Sequence, residues 1–223
     1  MKKITLEELK EKIALHKLWL KDSPKGKRLV LKGYDLRECN FRNSDFRNCD
    51  FSYSDFRNSD FRHSNFSDCD FSNCDFRNCD FSNCDFSYSD FRNSNFRHSN
   101  FSDSNLTNII TNEWTLCYHL ACPEEGSFTG YKKAHNMIVK LLITEDSLRS
   151  SATSLKCRCS KAKVISITDK EGNEHNEVAS DYDSTFIYKK GEIIEVKDFD
   201  TDRWNECSKG IHFFINKQIA INY

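Results

Sequence analysis

Residues 41–60 read FRNSDFRNCDFSYSDFRNSD, and in them one side-chain pattern returns every five residues. Phe41 opens thirteen consecutive phenylalanines at that spacing, ending at Phe101; Leu36 and Leu31 extend the row backward, and Leu106 extends it forward. A period of five is neither the 3.6 of a helix nor the 2 of a strand. A short period held over about eighty residues means a solenoid, in which each unit is stabilised by its neighbours.

With the central Phe or Leu called i, position i−2 is Ser or Cys in all fourteen units from Cys39 to Ser104, and i−1 is Asp or Asn from Asp35 to Asn105. Position i+1 is nearly always Arg or Ser. Position i+2 is mostly Asn, with Tyr53, His63, Asp68, Tyr88, His98 and Asp103 as exceptions. Large and small residues two apart share one side of an extended segment, so the Phe and Ser/Cys positions are expected inside. Cys39, Cys49, Cys69, Cys74, Cys79 and Cys84 then act as small, inert thiols in place of Ser.

The units CDFRN, SDFRN and CDFSN resemble the pentapeptide-repeat family, whose usual unit is A-(D/N)-L-x-x. The resemblance covers Leu29–Asn108 and implies a right-handed quadrilateral β-helix in which four pentapeptides make one square coil. Sixteen units then make four coils. Residues twenty apart should stack, which places Arg37, Arg57, Arg77 and Arg97 in one ladder. That ladder is a candidate partner-binding stripe, or a solvated face neutralised by the Asp residues at i−1. Residues 49–68 recur at 84–103 with one change, Asp60 to Asn95. The offset of 35 is not a multiple of twenty, so the copies of Tyr53 and His63 fall on different faces, which argues against an elaborate outer site.

Before the repeat, Thr5-Leu6-Glu7-Glu8 has the form of a capping box, and Leu6, Leu9, Ile13, Leu15, Leu18, Trp19 and Leu20 form an apolar face at helical spacing. Residues 1–28 are therefore expected to be an amphipathic helix and linker that cap the solenoid. Residues 29–112 are the repeat, and 113–223 a small α+β domain. Strands are expected at Met137–Ile143, Lys163–Ile167, Phe186–Tyr188, Ile193–Val196 and Ile211–Ile215, with short helices at Ser147–Ser151 and Asn216–Asn222. In this region CPEEGSFTGYKKA, SSATSLKCRCSKAKV and DRWNECSKGIHFF resemble an uncharacterised domain that follows pentapeptide repeats in phage, viral and bacterial proteins; the HKLWL and GKR segments before the repeat fit that architecture. The resemblance brings no known activity.

Net charge is −1, divided as +5 over residues 1–28 (nine Lys/Arg, four acids), −4 over 29–112 (nine, thirteen) and −2 over 113–223 (fifteen, seventeen). This balance offers no argument for nucleic acid or an acidic membrane. No run approaches the roughly 20 apolar residues of a membrane span, and the charged N-terminus lacks a signal-peptide core. A cytoplasmic protein is expected (host cytoplasm if the source is viral), with its eleven cysteines reduced.

Three functions are compatible with these residues. The first is a non-catalytic interaction scaffold with a protein partner and no cofactor. The second, implied by the family resemblance, is a DNA mimic that inhibits a DNA-binding protein such as a type II topoisomerase. The third places zinc or catalysis in the C-terminal domain. There Cys157, Cys159, Cys207 and His212 are a candidate ligand set, although their spacing is not that of a zinc finger. Cys207 with His212 could also serve as nucleophile and base.

Overall fold

The computed structural model describes residues 1–223 and divides the chain into two compact units, Met1–His119 and Leu120–Tyr223. It is mainly β, with two helices.

In the first unit, parallel bridges join residues twenty apart without interruption, from Val30 opposite Asp50 to Asp90 opposite Ile110. Each ring therefore lies over the ring of the fourth unit onward. Phe41, Phe61, Phe81 and Phe101 form one such column, with centroids 5.2, 4.8 and 4.9 Å apart. Consecutive Phe residues instead meet edge to face, as Phe51 does with Phe56 at 5.6 Å. Offset stacking and edge-to-face contact are the two arrangements that the ring quadrupole favours. All thirteen rings are buried, each contributing roughly 1.5–3 kcal/mol of burial.

Every position of the repeat has a physical reason in this geometry. The hydroxyl at i−2 donates to a carbonyl 23 residues back, as Ser89 does to Phe66 at 2.7 Å, and accepts the N–H of the residue twenty back, here Cys69 at 3.1 Å. Cysteine keeps the donor half: Cys69, Cys74, Cys79 and Cys84 reach the carbonyls of Phe46, Phe51, Phe56 and Phe61 at 2.9–3.1 Å. The side-chain oxygen at i−1 accepts the N–H of i+1, closing an Asx turn, as Asp55 does for Arg57 at 3.1 Å. Position i+2 has φ of 51–62° in every unit from Asn43 to Asn108. Asn, Asp and His tolerate that left-handed region better than other residues with a side chain, which explains the Asn bias.

The ladder continues past the recognisable repeat. Leu116 pairs with Asn95, an offset of 21 rather than twenty, and the buried Thr115 hydroxyl donates to the Phe91 carbonyl 24 residues back. One inserted residue thus breaks the sequence period while preserving the pairing.

At the other end α1 (Leu6–Trp19) starts with the expected capping box, Thr5 and Glu8 bonding reciprocally. Its buried stripe is narrower than expected. Leu9 and His16 are buried and Ile13 and Leu20 half-buried, while Leu6 and Leu18 are exposed. His16 is the unexpected member: its Nδ1 accepts the N–H of Leu29 at 3.2 Å and its Nε2 lies 3.3 Å from Cys49 Sγ. Gly26 permits the return from helix to coil, because a Cβ there would lie 2.2 Å from the Trp19 nitrogen. Lys2 adds a further backbone pair, to Gly33 and Asp35.

The second unit contains three antiparallel sheets. The largest has the order β1 (Phe128–Ala134), β2 (Met137–Ile143), β5 (Lys161–Thr168), β8 (Ile193–Glu195). The second has β3 (Arg149–Ser151), β4 (Cys157–Cys159) and β9 (Ile211–Phe213), and β6 (Glu177–Ala179) pairs with β7 (Ile187–Lys189). Mutual bonds between Tyr131 and Phe214 join β1 to the end of β9. Val139, Leu141, Ile143, Val164, Ile167 and Phe213 are central to the core. Gly130 is required where β1 crosses Phe213, since a Cβ would meet that ring at 2.5 Å. The helix expected at Ser147–Ser151 is instead the strand β3: Arg149–Ser151 pairs with Cys157–Cys159, and that pairing overrides a weak local preference. The terminal helix, α2 (Lys217–Asn222), is present and capped by Asn216.

Candidate functional site

The second unit has a cavity of about 620 Å3, within the size range of small-molecule sites. Two lysines reach it from elements distant in sequence. Lys132 stands in β1 on the inward face that it shares with Gly130 and Ala134, opposite Val139 of β2. Lys156 immediately precedes β4. Their side chains are nearly excluded from solvent, at 9% and 6% exposure. Lys156 Nζ lies 3.3 Å from Cys207 Sγ, 3.4 Å from the Tyr223 hydroxyl and 3.7 Å from the Glu206 carboxylate. Burial alone would lower its pKa, but these partners carry it upward. Lys132 has no such partner. Its ammonium lies over the Tyr188 ring, 5.9 Å from the centroid, and burial lowers its pKa against the pull of the Asp181 carboxylate.

His212, on β9, also lines the cavity, and its Nε2 donates to the Ser208 carbonyl at 2.9 Å. Burial lowers its pKa, so it is held neutral. Cys207 is exposed and in contact with Lys156 rather than with an imidazole. His212 is therefore committed to a backbone carbonyl, and no nucleophile–base hydrogen bond links the two.

The candidate zinc ligands do not converge. Cys157 pairs with Phe213, Arg158 with His212, and Cys159 with Ile211 across β4 and β9. Cross-strand partners share a face, so His212 projects with Arg158, opposite to Cys157 and Cys159. Both thiols are fully buried; contact with Cys122 and burial push Cys157 far up, and burial pushes Cys159 up to about 12. Metal ligation requires thiolate. No three His, Cys, Asp or Glu side chains are grouped to hold a metal ion.

On the first unit, Arg37, Arg57 and Arg77 each clamp the aspartate two residues earlier. Arg57 Nε and Nη2 bond the two oxygens of Asp55 at 2.9 and 2.6 Å, and Nε lies 3.7 Å from Asp75 in the next turn. Arg37 repeats this with Asp35 and Asp55, and Arg77 with Asp75. The fourth position differs. Asn95 replaces the aspartate, and Arg97 gains only a backbone bond to it.

Two pentapeptide-repeat models match this part of the chain, one described as a pentapeptide repeat region at residues 55–118 and one as pentapeptide repeats at 30–62. Residues 30–118 belong to the pentapeptide-repeat family. Residues 118–220 match a family of unknown function, DUF5758. No curated protein matches the sequence. Among solved structures, a pentapeptide repeat protein from the thylakoid lumen of Arabidopsis thaliana is 19% identical over 40% of this chain and 65% of its own, with a TM-score of 0.25. HetL of the cyanobacterium Nostoc sp. strain PCC 7120, described as involved in heterocyst differentiation regulation, is 18% identical over 36% and 46%, with a TM-score of 0.19. QnrB1, a plasmid-mediated fluoroquinolone resistance protein, is 14% identical over 40% and 58%, with a TM-score of 0.17. The matched part spans less than two thirds of each of these three chains.

Sequence reasoning located the pentapeptide-repeat arginines but missed both cavity lysines of the DUF5758 region. The signal for Lys132 was present in FTGYKKA, where alternation places it on the Gly130 and Ala134 face. Lys156 had no local signal, since its burial depends on Cys207 and Tyr223, more than fifty residues away.

Proposed function

We propose that this pentapeptide-repeat protein is a non-catalytic interaction scaffold: a right-handed quadrilateral rod of four coils at residues 29–112, preceded by a capping segment at 1–28 and followed by an appended domain at 113–223. The observation that carries this reading is the filled interior of the repeat. Its columns of buried Phe leave the repeat's outer surface to meet a partner. Arg37, Arg57, Arg77 and Arg97 supply a regular row of guanidinium groups on that surface, the first three paired with aspartates and Arg97 without a carboxylate. Arginine in such a setting favours a protein partner bearing carboxylates.

The same ion pairs weigh against DNA mimicry. Aspartates 35, 45, 55, 60, 75 and 90 are each clamped by an arginine, which cancels the regular negative charge that a mimic would present. In this reading the protein inhibits no type II topoisomerase, and a gyrase supercoiling assay at micromolar protein checks that arm. No helix is long and apolar enough to cross a membrane. Eleven free thiols suit a reducing compartment such as the cytoplasm.

The test replaces all four arginines by Ser, the repeat's own alternative at i+1, and compares affinity capture by the variant and the wild type. The variant is expected to lose the partner while keeping its thermal transition. Equal recovery by both proteins removes the ladder from the binding surface.

A further inference from the structure

The 620 Å3 cavity of the second unit holds a charge arrangement that folding alone does not account for. A lysine at an inward position of a strand is costly unless its ammonium is paired. Lys132 occupies such a position and makes no ion pair or side-chain hydrogen bond; the Asp181 carboxylate acts on it only from beyond pairing distance and is itself paired with His135 at 3.1 Å. Lys156 faces the same cavity and meets one carboxylate, Glu206, at 3.7 Å. Of the two buried ammonium groups, only that of Lys156 has a carboxylate within ion-pair distance.

Phe186, Tyr188, Ile211 and Tyr223 give the wall an apolar and aromatic part, beside the polar Ser180, Ser208 and His212. The acids that line the cavity, Asp183, Glu195 and Asp198, are exposed, and Asp198 is already paired with Lys209. The cavity therefore has a cationic interior, apolar sides and a mixed-charge mouth. A second cavity, of about 300 Å3, shares Lys132, Lys156, His212 and Tyr223, so both lysines remain reachable from two sides. A residue that violates the inward pattern without an internal partner is the expected mark of a binding site.

We propose that this cavity binds a small organic anion, a carboxylate or phosphate monoester on an aromatic or apolar body, with Lys132 as its principal charge partner and Lys156 as the second. The anion takes the place that an internal carboxylate would otherwise fill beside Lys132. Its apolar part packs on Tyr188 and Phe186. Such a ligand is recognised by charge and shape together, and its binding weakens as salt rises.

Calorimetric titration and thermal melting of the full chain test this with four probes: phenyl phosphate, 3-phenylpropionate, inorganic phosphate and the uncharged benzyl alcohol. At least one aromatic anion is expected to bind and raise Tm. Which of the two binds more tightly distinguishes a phosphate from a carboxylate ligand. Lys132→Met should weaken that binding by about tenfold or more, the loss of one charge-assisted contact. Its ligand-free Tm should equal or exceed that of the wild type, because an unpaired buried charge is replaced by an apolar chain of similar length. Lys156→Met should weaken the same probe independently.

Failure of every anion to bind at millimolar concentration overturns the proposal, as does equal binding of benzyl alcohol. Unchanged affinity in Lys132→Met also overturns it. A clear drop in that variant's ligand-free Tm does so too, by making Lys132 a structural residue.

Discussion

His16 Nδ1 accepts the backbone N–H of Leu29 at 3.2 Å, so a helix side chain closes a free edge of the first turn of the solenoid. The N–H can only donate, which requires an unprotonated Nδ1 and a neutral ring. Burial lowers the pKa of His16 in agreement with this. The unfolded chain therefore binds the proton more readily than the folded one, and stability falls as pH drops. The contribution of His16 is full above its ordinary pKa of 6.5 and is lost below it, at up to about 1.4 kcal/mol per pH unit. Urea denaturation at pH 7.5 and 5.5 should show this dependence in the wild type and a flatter one in His16→Gln. His16→Ala should cost about 1–3 kcal/mol at neutral pH, by stranding the Leu29 N–H.

Tyr88 lies at φ 61° with 59% of its surface exposed, at a position where Asn is the usual residue. Tyr88→Asn should stabilise the protein by about 0.5–1 kcal/mol, since a bulky residue in the left-handed region carries strain that Asn avoids. Tyr53→Asn should gain less, because Tyr53 also holds the Lys32 ammonium 5.1 Å from its ring centroid. Chemical denaturation of the two variants orders them. If Tyr88→Asn is the less stable, the tyrosine has a packing role that these contacts do not include.

The cysteines of the repeat should be exchangeable with Ser but not with Val. Cys79 and Cys84 donate to the carbonyls of Phe56 and Phe61 at 2.9 Å, and burial pushes both thiols up to about 12. Cys79→Ser preserves the donor and should change stability by less than about 0.5 kcal/mol, whereas Cys79→Val leaves the Phe56 carbonyl with the Ser59 N–H alone and should cost about 0.5–1.5 kcal/mol. Thiol titration of the native protein should find one fast group, Cys207, the one exposed cysteine. That fast phase should vanish in Cys207→Ser.

Arg158 is almost wholly buried, and its guanidinium donates to the carbonyls of Asp200, Asp202 and Lys209 at 2.8–3.0 Å. It thereby ties down the loop that carries Cys207 into the cavity wall. Arg158→Met should cost about 3 kcal/mol, since three part-buried carbonyls lose charge-assisted donors at once. Arg158→Lys should recover only part of this, having one donor centre for three acceptors. Urea midpoints of the two variants check the order.

Legibility differed between the two units for a physical reason. In the solenoid every constraint acts either within five residues or at a constant offset of twenty, so the repeat unit states its own environment. The interior row, the thiols in place of hydroxyls and the arginine stacking were accessible from spacing. The Asx turn behind the Asp/Asn bias and the positive φ behind the Asn bias were equally local, but they became evident only as backbone geometry. In the second unit β2, β9 and α2 were accessible from apolar runs or a cap, while β1, β3 and β4 were not. β3 and β4 have three residues each and take their strand character from pairing with each other and with β9.

The sequence by itself determined the stacked repeat, because a period of five residues repeated along the chain buries its apolar row against the units twenty residues away. Tertiary structure alone decided three things. It set His16 against Leu29, across thirteen residues that follow no repeat. It separated His212 from Cys157 and Cys159, because the β4–β9 register places them on opposite faces. It also brought Lys132 and Lys156 to one cavity. Charge pairing depends on distance in space, and no spacing along the chain encodes that one buried lysine will lack an ion pair.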